Sequence, residues 1–328
     1  MKLLVCGGAG FIGSNFVRQR VTEFGDDVVV LDKLTYAGRR ENLEDLDVEL
    51  VHAGIEDADA VRPAMHGVDA VVNFAAETHV DRSIAEPDAF VTTHALGTWV
   101  LLEAARDAGV RYVQISTDEV YGSIDEGSFT ESSPLDPSSP YSATKAGADL
   151  LVGSYFHTYG METLICRGSN NYGPYQYPEK LIPLMVLNAL HGDSLPVYGD
   201  GMNVRNWLFV EDFARGIGHV LAHGVPGEAY NVGGPDELPN IDVVKGILEH
   251  TGNDESLIEY VTDRPGHDRR YSLGSEKIRA TGWEPRVHFE EGLRQTVEWY
   301  QERRDWWEPI RSGDYRAYYE RQYGKTLG

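Results

Sequence analysis

Short apolar runs alternate with longer helical patterns over the first 171 residues, and this alternation constrains the fold more than any other feature of the sequence. Runs of this length are typical of buried strands. Strand-helix alternation with short connections predicts an α/β fold with a doubly wound parallel sheet, whose ligands bind beyond the carboxyl ends of the strands. The six predicted strands lie in the runs KLLVCGG, DDVVVLD, VELVHAG, DAVVNFAA, RYVQIST and METLICRGSN.

A glycine-rich turn, CGGAGFIG, joins the first predicted strand to a helical pattern. It satisfies both Gly8-x-Gly10-x-x-Gly13 and the wider Gly7-x-x-Gly10-x-x-Gly13. Glycines at these spacings let the chain turn tightly and let its backbone approach a pyrophosphate at the start of the helix. Asp32 closes the second strand about 20 residues further on, where a carboxylate binds ribose hydroxyls and repels a 2′-phosphate. Together these features predict a Rossmann domain that binds NAD rather than NADP.

The character of the sequence changes after Asn171, and this change predicts a second domain. The later sequence is rich in loops that contain Pro, Tyr and Arg, although VEWYQERRDWWEP near the end is typical of a helix with aromatic anchors. We expect the NAD-binding domain to span residues 1–171, with a return segment at about 204–233. A smaller, loop-rich α/β domain that binds the substrate is expected over about 172–203 and 234–328.

Two further motifs, STDEVYG and YSATK, carry candidate catalytic groups. Tyr141 and Lys145 are four residues apart, so both lie on one face of a helix. We expect the ammonium of Lys145, together with the positive nicotinamide of NAD, to lower the pKa of the phenol so that it can accept a proton from an alcohol. Successive strand residues point to opposite faces, so the chain must leave the strand at 117–119 for two adjacent acids to reach one ligand. We expect a turn or a short helical start there.

In this order, GGAGFIG, STDEVYG and YSATK resemble the extended short-chain dehydrogenase/reductase superfamily, and within it the nucleotide-sugar 4,6-dehydratases, most closely those that act on dTDP-glucose. The resemblance covers nearly the whole chain, including LDKLTYAG, NFAAETHVDRSI, RGSNNYGPYQYPEKLIP and DRPGHDRRY. It implies a redox-neutral lyase with bound NAD, which oxidises a hexose at C4, eliminates water across C5–C6 and returns the hydride to C6.

The two acids of STDEVYG are what such an elimination requires. A C4 ketone acidifies the C5 hydrogen, so a base is needed at C5 and an acid at the C6 oxygen. Two carboxylates in one dry site repel, so one tends to keep its proton. The resemblance implies that Asp118 is the acid and Glu119 the base, and that Thr117, Tyr141 and Lys145 carry out the oxidation.

The resemblance also implies binding residues. The implied cofactor contacts are Gly7, Gly10, Phe11, Ile12, Gly13, Asp32, Lys33, Leu34, Thr35, Gly38, Gly54, Ile55, Phe74, Ala75, Ala76, Thr93, Tyr141, Lys145 and Asn171. The implied substrate contacts are Thr78, Thr117, Asn170, Lys180, Leu181, Pro196, Tyr198, Arg205, Asn240, Arg264 and His267. No metal is implied.

Two positions depart from the pattern of the family. Gly54 stands before Ile55 in HAGIED, where the family usually has an acid that touches the adenine, and Asp57 is too far along to be assumed a replacement. His94 in THALGT stands where the family usually has Asn. A lone histidine is more often structural than catalytic, so we assign His94 no catalytic role.

Three alternatives remain open at this point. The chain could dehydrate a UDP-, GDP- or CDP-hexose, or it could be an epimerase or a decarboxylase of the same superfamily. Epimerases need little beyond Thr117, Tyr141 and Lys145, and they usually carry small residues at the positions of Asp118 and Glu119. A non-catalytic NAD-binding regulator would have no reason to keep all five groups.

Charge and composition exclude other classes. The formal net charge of −23 argues against general nucleic-acid binding, which needs a basic face. No run approaches the roughly 18 unbroken apolar residues of a membrane span. Cys6 and Cys166 lie within apolar runs, as expected of buried thiols in a reducing cytoplasm. The resemblance implies a homodimer built through two helices per subunit, around residues 88–108 and 142–159.

Overall fold

The computed structural model describes residues 1–263 and 268–312. Its largest element is a seven-stranded sheet in which every neighbouring pair of strands is parallel. The strands are β1 (Lys2–Cys6), β2 (Asp27–Asp32), β3 (Glu49–His52), β4 (Ala70–Asn73), β5 (Arg111–Thr117), β6 (Thr163–Gly168) and β10 (Ala229–Val232). Their order is β10-β6-β5-β4-β1-β2-β3, so the direction of winding reverses between β1 and β4. This confirms the predicted doubly wound sheet and puts the expected ligand crevice at the carboxyl ends of β1 and β4.

Helices cover both faces of this sheet, because alternate residues of each buried strand point to opposite sides. In β1, Leu3 and Val5 pack on one face, and Leu4 and Cys6 pack on the other. The helices that pack on the first face are α1 (Phe11–Thr22) and α8 (Val210–His223), and those on the second are α2 (Ala58–Ala64), α5 (Thr98–Ala108) and α6 (Pro140–Tyr159).

The connection from β4 to α5 is less regular than the sequence predicts. It contains α3 (Val80–Ala85) and α4 (Asp88–Val91), and a π-helical turn over Thr92–Gly97 then joins α4 to α5. A β-carbon at Gly97 would lie 2.6 Å from the Cδ1 of Ile55, so the absence of a side chain lets this turn approach the loop after β3. Single-turn π-helices inside α-helices often occur at functional sites.

Most of the remaining described residues form a second layered region beside the sheet. A three-stranded sheet contains β7 (Asn170–Tyr172), β9 (Val204–Phe209) and β11 (Asp236–Pro239), and β8 (Leu195–Tyr198) pairs with β12 (Ile258–Val261). Its own apolar core includes Met185, Val244 and Leu293. The helices of this region are α7 (Leu181–His191), α9 (Asn240–Thr251), α11 (Phe289–Glu302) and α12 (Arg304–Ser312), whereas α10 (Glu276–Arg279) packs on the large sheet.

The segment at about 204–233, expected to return to the NAD-binding domain, is divided between the two sheets. Only α8 and β10 join the large sheet, because β9 pairs with β7 and β11 in the small one. Conversely, Ile278 and Trp283, which fall in the predicted second domain, are buried in the core of the large sheet. Segments of the two regions thus alternate along the chain. The predicted domain limits remain a prediction.

The predicted aromatic C-terminal helix is two helices, since α11 ends at Glu302 and α12 begins at Arg304. Trp306 and Trp307 of α12 are buried, and each indole donates a hydrogen bond: Trp306 to the Oδ1 of Asn42 at 2.7 Å, and Trp307 to the carbonyl of Tyr300 at 2.7 Å. Among the described residues, no helix combines the length and the apolar character needed to cross a membrane.

Candidate active site

The glycine turn after β1 begins one end of a cleft at the carboxyl edge of the large sheet. Gly7 has a φ of +73°, and a β-carbon on it would lie 2.5 Å from the backbone nitrogen of Ala75, so glycine is required there. A β-carbon on Gly13 would lie 2.9 Å from the Cα of Gly8. Helix α1 starts directly after the turn with no acid in its first turn, which leaves its N terminus suited to a phosphate.

Asp32, the last residue of β2, is held at the edge of this cleft. Its Oδ2 accepts a hydrogen bond from the backbone N–H of Ala9 at 2.9 Å, and its Oδ1 accepts one from that of Leu34 at 2.8 Å. Burial raises the pKa of Asp32, and these two donors oppose that effect. The Leu34 side chain is partly buried against the apolar core that includes α1 and α8, and its N–H donates to Asp32, so its expected contact with the cofactor remains a prediction.

The other residues with an implied cofactor contact all line this cleft. They are Gly7, Gly10, Phe11, Ile12, Gly13, Asp32, Lys33, Thr35, Gly38, Gly54, Ile55, Phe74, Ala75, Ala76, Thr93, Tyr141, Lys145 and Asn171. The buried Oδ1 of Asn171 has no hydrogen-bond partner within the described part of the chain. An acceptor in that position fits a dinucleotide. So does the glycine turn, because β-carbons on its glycines would fill the space that the pyrophosphate needs.

The STDEVYG motif leaves its strand where the sequence predicts. Strand β5 ends at Thr117, and residues Asp118–Tyr121 form a 3₁₀ turn. The Oγ1 of Thr117 caps this turn by accepting the N–H of Glu119 at 3.2 Å, and it donates to the Oδ1 of Asp118 at 3.3 Å. The cap explains how Thr117 and the next two residues can all line the same cleft, together with Tyr141 and Lys145.

Asp118 has the electrostatic properties of a general acid. Its side chain is almost fully buried, and its Oδ2 finds no hydrogen-bond partner within residues 1–263 and 268–312. Burial, and then the neighbouring carboxylate of Glu119, raise the pKa of Asp118 to about 7, while the guanidinium of Arg205 acts in the opposite direction. A carboxyl group with this pKa keeps much of its proton at neutral pH.

Tyr141 and Lys145 lie on the first two turns of α6, which begins with a capping box at Ser139 and a proline in its first turn. Burial lowers the pKa of Lys145 to about 8, and its ammonium donates to the carbonyl of Ile115 at 2.6 Å. The pKa of Tyr141 is not lowered in the protein alone, so the expected effect of Lys145 together with the nicotinamide of NAD remains a prediction. Burial, and then the Glu119 carboxylate, raise the pKa of Tyr141, and a hydrogen bond with Thr117 opposes them.

His94 is buried in contact with Tyr141, and its assignment to a structural role remains a prediction. It lies in the π-helical turn, where its Nε2 accepts the N–H of Glu77 at 3.1 Å and its Nδ1 lies 2.8 Å from the Oγ1 of Thr144. Its ring packs edge-on against Tyr141 with centroids 5.9 Å apart. Burial, and then the Lys145 ammonium, lower the pKa of His94 well below its usual value, so the ring is neutral.

The implied substrate residues divide into two groups. Thr78, Asn170 and Lys180 line the same cleft as the catalytic residues, and the ammonium of Lys180 donates to the carbonyl of Thr78 at 2.7 Å. The buried Oδ1 of Asn170 has no partner among the residues that are described. The other described residues of this set belong to the second region and do not line the cleft. They are Leu181, Pro196, Tyr198, Arg205 and Asn240.

Arg205 links the second region to the catalytic acid. Its guanidinium donates to the carbonyl of Asp268 at 2.9 Å, lies 4.4 Å from the ring centre of Tyr271, and is close enough to Asp118 to lower the pKa of that group. Arg264 and His267 lie outside the described residues.

Several cleft residues were not identified from the sequence. Glu77 directly follows the NFAA run at the end of β4, and its position beyond a strand could have identified it. Gln176, Tyr177 and Glu179 precede α7, next to the predicted Lys180, but without a pattern that marks them. Glu56 also lines the cleft, beside Gly54.

A model of the GDP-mannose 4,6 dehydratase family matches residues 4–296. A dTDP-glucose 4,6-dehydratase of Streptomyces niveus is 51% identical over 325 residues, covering 96% of this chain and 97% of that protein. The low-salt glycan biosynthesis protein Agl12 of Haloferax volcanii is 52% identical over 305 residues, covering 92% and 98%. The structure of the dTDP-glucose 4,6-dehydratase DesIV of Streptomyces venezuelae with NAD and TYD bound is 55% identical, with a TM-score of 0.92 and coverage of 94% of this chain and 100% of that one. The chain therefore belongs to the GDP-mannose 4,6-dehydratase family of extended short-chain dehydrogenases/reductases and, within it, to the dTDP-glucose 4,6-dehydratases.

Proposed function

We propose that the protein converts dTDP-glucose to dTDP-4-keto-6-deoxyglucose and water, using NAD that stays bound through the cycle. The observation that carries this proposal is that the paired acids Asp118 and Glu119 line one cleft with Thr117, Tyr141 and Lys145. An epimerase has no use for the two acids. A relative that is 55% identical has NAD and TYD bound, which supports the same ligand classes here.

NAD would be held by the glycine turn at its pyrophosphate and by Asp32 at its adenosine ribose. When bound, it supplies a hydride acceptor for the oxidation and, in reduced form, a hydride donor for the last step. Asp32 has both carboxylate oxygens engaged by single backbone donors, so each oxygen keeps a lone pair for a ribose hydroxyl.

In the oxidation, the Tyr141 phenolate would take the proton of the C4 hydroxyl while Thr117 orients the reacting oxygen. Because burial and Glu119 raise the pKa of Tyr141 in the protein alone, positive charge must favour its ionised form during the reaction. Lys145 supplies one such charge from the same helix face, and the oxidised nicotinamide supplies another.

In the elimination, Glu119 would remove the C5 proton, and the electron pair of that bond would form the C5–C6 double bond. The C6–O bond breaks as Asp118 donates its proton to the leaving hydroxyl, which departs as water. A pKa of about 7 lets Asp118 hold this proton at neutral pH and release it readily. Glu119 then carries the proton taken from C5, which can return to C5 as the hydride reaches C6.

The sugar nucleotide would bind across the two regions. Asn170 and Lys180 are suited to the hexose end and the pyrophosphate, and Arg205 adds a cation from the second region. Tyr198 offers a flat face for a pyrimidine. Arg264 and His267 remain predictions from the sequence. An acidic protein must rely on such local cations to bind an anionic substrate.

We also propose a homodimer. Val91, Leu96 and Trp99 of the α4–α5 segment and Leu150 of α6 are large apolar side chains with exposed fractions of 51%, 45%, 47% and 67%. Exposed apolar residues on two neighbouring helices support an interface between copies. Light scattering should give twice the monomer mass, and Trp99→Glu should shift the protein towards the monomer. The two buried free thiols, Cys6 and Cys166, support a cytoplasmic location, which fractionation of the source cells would test.

The function is tested by incubating the protein with dTDP-glucose and following product mass. Loss of one water supports dehydration, whereas unchanged mass with an inverted C4 would indicate an epimerase. Absence of turnover with any sugar nucleotide would indicate a regulator. Parallel reactions with UDP-, GDP- and CDP-hexoses would identify the base preference.

The division of roles is tested with Glu119→Gln. This variant should still form NADH on addition of substrate, seen by absorbance, but release water about 10²- to 10⁴-fold more slowly. Glu126→Gln, an exposed substitution a few residues along the chain, is the matched control. If Glu119→Gln failed to reduce NAD, the assignment of Glu119 to the second step would be wrong.

A further inference from the structure

The adenine end of the cleft contains an acid that the motif comparison does not predict. Gly54 has no side chain, and the Glu56 side chain folds back over this position. A β-carbon at Gly54 would lie 2.5 Å from both the carboxylate carbon and the Oε1 of Glu56. The Glu56 carboxylate therefore occupies the space in which an acidic side chain at residue 54 would begin.

A cation holds the carboxylate in this orientation. The ammonium of Lys33 lies 2.5 Å from the Oε1 of Glu56, and the side chain of Glu56 is 22% exposed, against 55% for that of Lys33. Both residues line the cleft next to Asp32 and Ile55. The acid is thus the better-buried partner of the pair, and its second oxygen, Oε2, also lies over Gly54.

The order of groups along the cleft indicates which part of a bound dinucleotide would lie next to the Oε2 of Glu56. The glycine turn suits the pyrophosphate and Asp32 suits the adenosine ribose, so residues 54–56 lie beyond the ribose, where a purine base would bind. A carboxylate accepts hydrogen bonds and donates none when it is ionised. It therefore favours a base with an exocyclic amino group over one with a keto oxygen at the same position.

We propose that Glu56 is a cofactor-specificity residue, whose carboxylate, held over Gly54, accepts a hydrogen bond from the 6-amino group of adenine. The inference rests on the proposed function in that it takes NAD as the cofactor. Lys33 acts as a positioning residue that keeps the carboxylate over the base.

The test measures base preference without relying on turnover. Full-length protein is equilibrated with equal concentrations of NAD and nicotinamide hypoxanthine dinucleotide, in which a keto oxygen replaces the amino group. After removal of free nucleotide, the two retained species are counted by mass spectrometry. The wild type should retain NAD over the analogue by about 10-fold, the effect of one charge-assisted hydrogen bond at a partly exposed site.

Three variants isolate the carboxylate. Glu56→Gln should lower the ratio to about 1, because an amide can donate to the keto oxygen as well as accept from the amino group. Glu56→Ala should lower it similarly, and Gly54→Asp combined with Glu56→Ala should restore a preference for NAD, since removing the Glu56 side chain frees the space for a β-carbon at residue 54. Glu49→Gln, an exposed substitution at the opposite end of β3, changes charge equally and should keep the wild-type ratio.

The outcomes separate this inference from the proposed function. If the wild type retains neither nucleotide, NAD is not the cofactor, and the proposed function and the inference fall together. If the wild type prefers NAD and Glu56→Gln keeps the same ratio as Glu49→Gln, the inference is refuted while the proposed function stands. Thermal unfolding should first show that both variants are folded. A preference for NAD that is restored in the double variant would then support the assignment of the adenine contact to this carboxylate.

Discussion

Replacing Asp118 by asparagine should stabilise the fold above neutral pH while removing the proposed general acid. The native carboxyl is almost fully buried, and burial and the charge of Glu119 raise its pKa from 3.8 to about 7. A folded-state pKa above the unfolded value means that the folded protein holds the proton more tightly. Its contribution to stability is therefore most favourable below about pH 4 and is progressively lost as the pH rises to about 7.

The size of the effect follows from the same two values. A rise in the pKa of Asp118 from 3.8 to about 7, at roughly 1.4 kcal/mol for each pH unit, corresponds to about 4 kcal/mol of folding stability lost above neutrality. About 2 to 3 kcal/mol of that loss should occur between about pH 5 and pH 8. Asparagine has nearly the same shape and no charge, so the gain in stability of Asp118→Asn over the wild type should grow by this amount across the interval.

Urea unfolding at the two pH values, at fixed protein concentration and with excess NAD, measures this difference directly. Asp125→Asn, an exposed substitution, serves as the control and should show no such growth. A stability difference between Asp118→Asn and the wild type that is the same at both pH values would refute the reasoning, because the buried carboxyl would then have an ordinary pKa.

Three shorter predictions concern the rest of the chain. Gly13→Ala should cost about 1–3 kcal/mol and weaken NAD retention, because its β-carbon would lie 2.9 Å from the Cα of Gly8; an unchanged melting temperature would contradict this. Asp212→Ala should lower the free energy of unfolding by about 2–4 kcal/mol, since this buried carboxylate accepts two backbone N–H groups; exposed Asp59→Ala should stay within about 0.5 kcal/mol in the same urea titration. Because the net charge is −23, the melting temperature should rise from about 0.1 M to 1 M NaCl as screening weakens repulsion, and a fall would contradict this.

Sequence patterns predicted the features that depend on neighbouring residues. The first six strands of the large sheet follow from apolar runs, and the turn at Gly7–Gly13 follows from glycine spacing. The departure of the chain from its strand at Thr117 was also predictable, since strand geometry alone cannot point Asp118 and Glu119 to one side.

Features that depend on distant contacts were not predictable. The π-helical turn at Thr92–Gly97 depends on Gly97 packing against Ile55, and no local pattern encodes that approach. The pKa of Tyr141 was predicted from Lys145 and the nicotinamide of NAD, whereas in the protein alone burial and then Glu119 raise it. Likewise, the Glu56 side chain that folds back over Gly54 is paired with Lys33, which lies in the connection after a different strand.

The last strand of the large sheet, β10, pairs with β6 although about 60 residues separate them in the chain. At a synthesis rate of about 5–20 residues per second, β6 would emerge from the ribosome several seconds before its partner. Every residue of β6 is buried in the finished protein, so its open edge is a site for aggregation during that interval. A fragment that ends at residue 171 would keep the glycine turn and the catalytic helix, yet it would expose this edge permanently, which makes a separately expressed cofactor domain a poor candidate for a soluble protein.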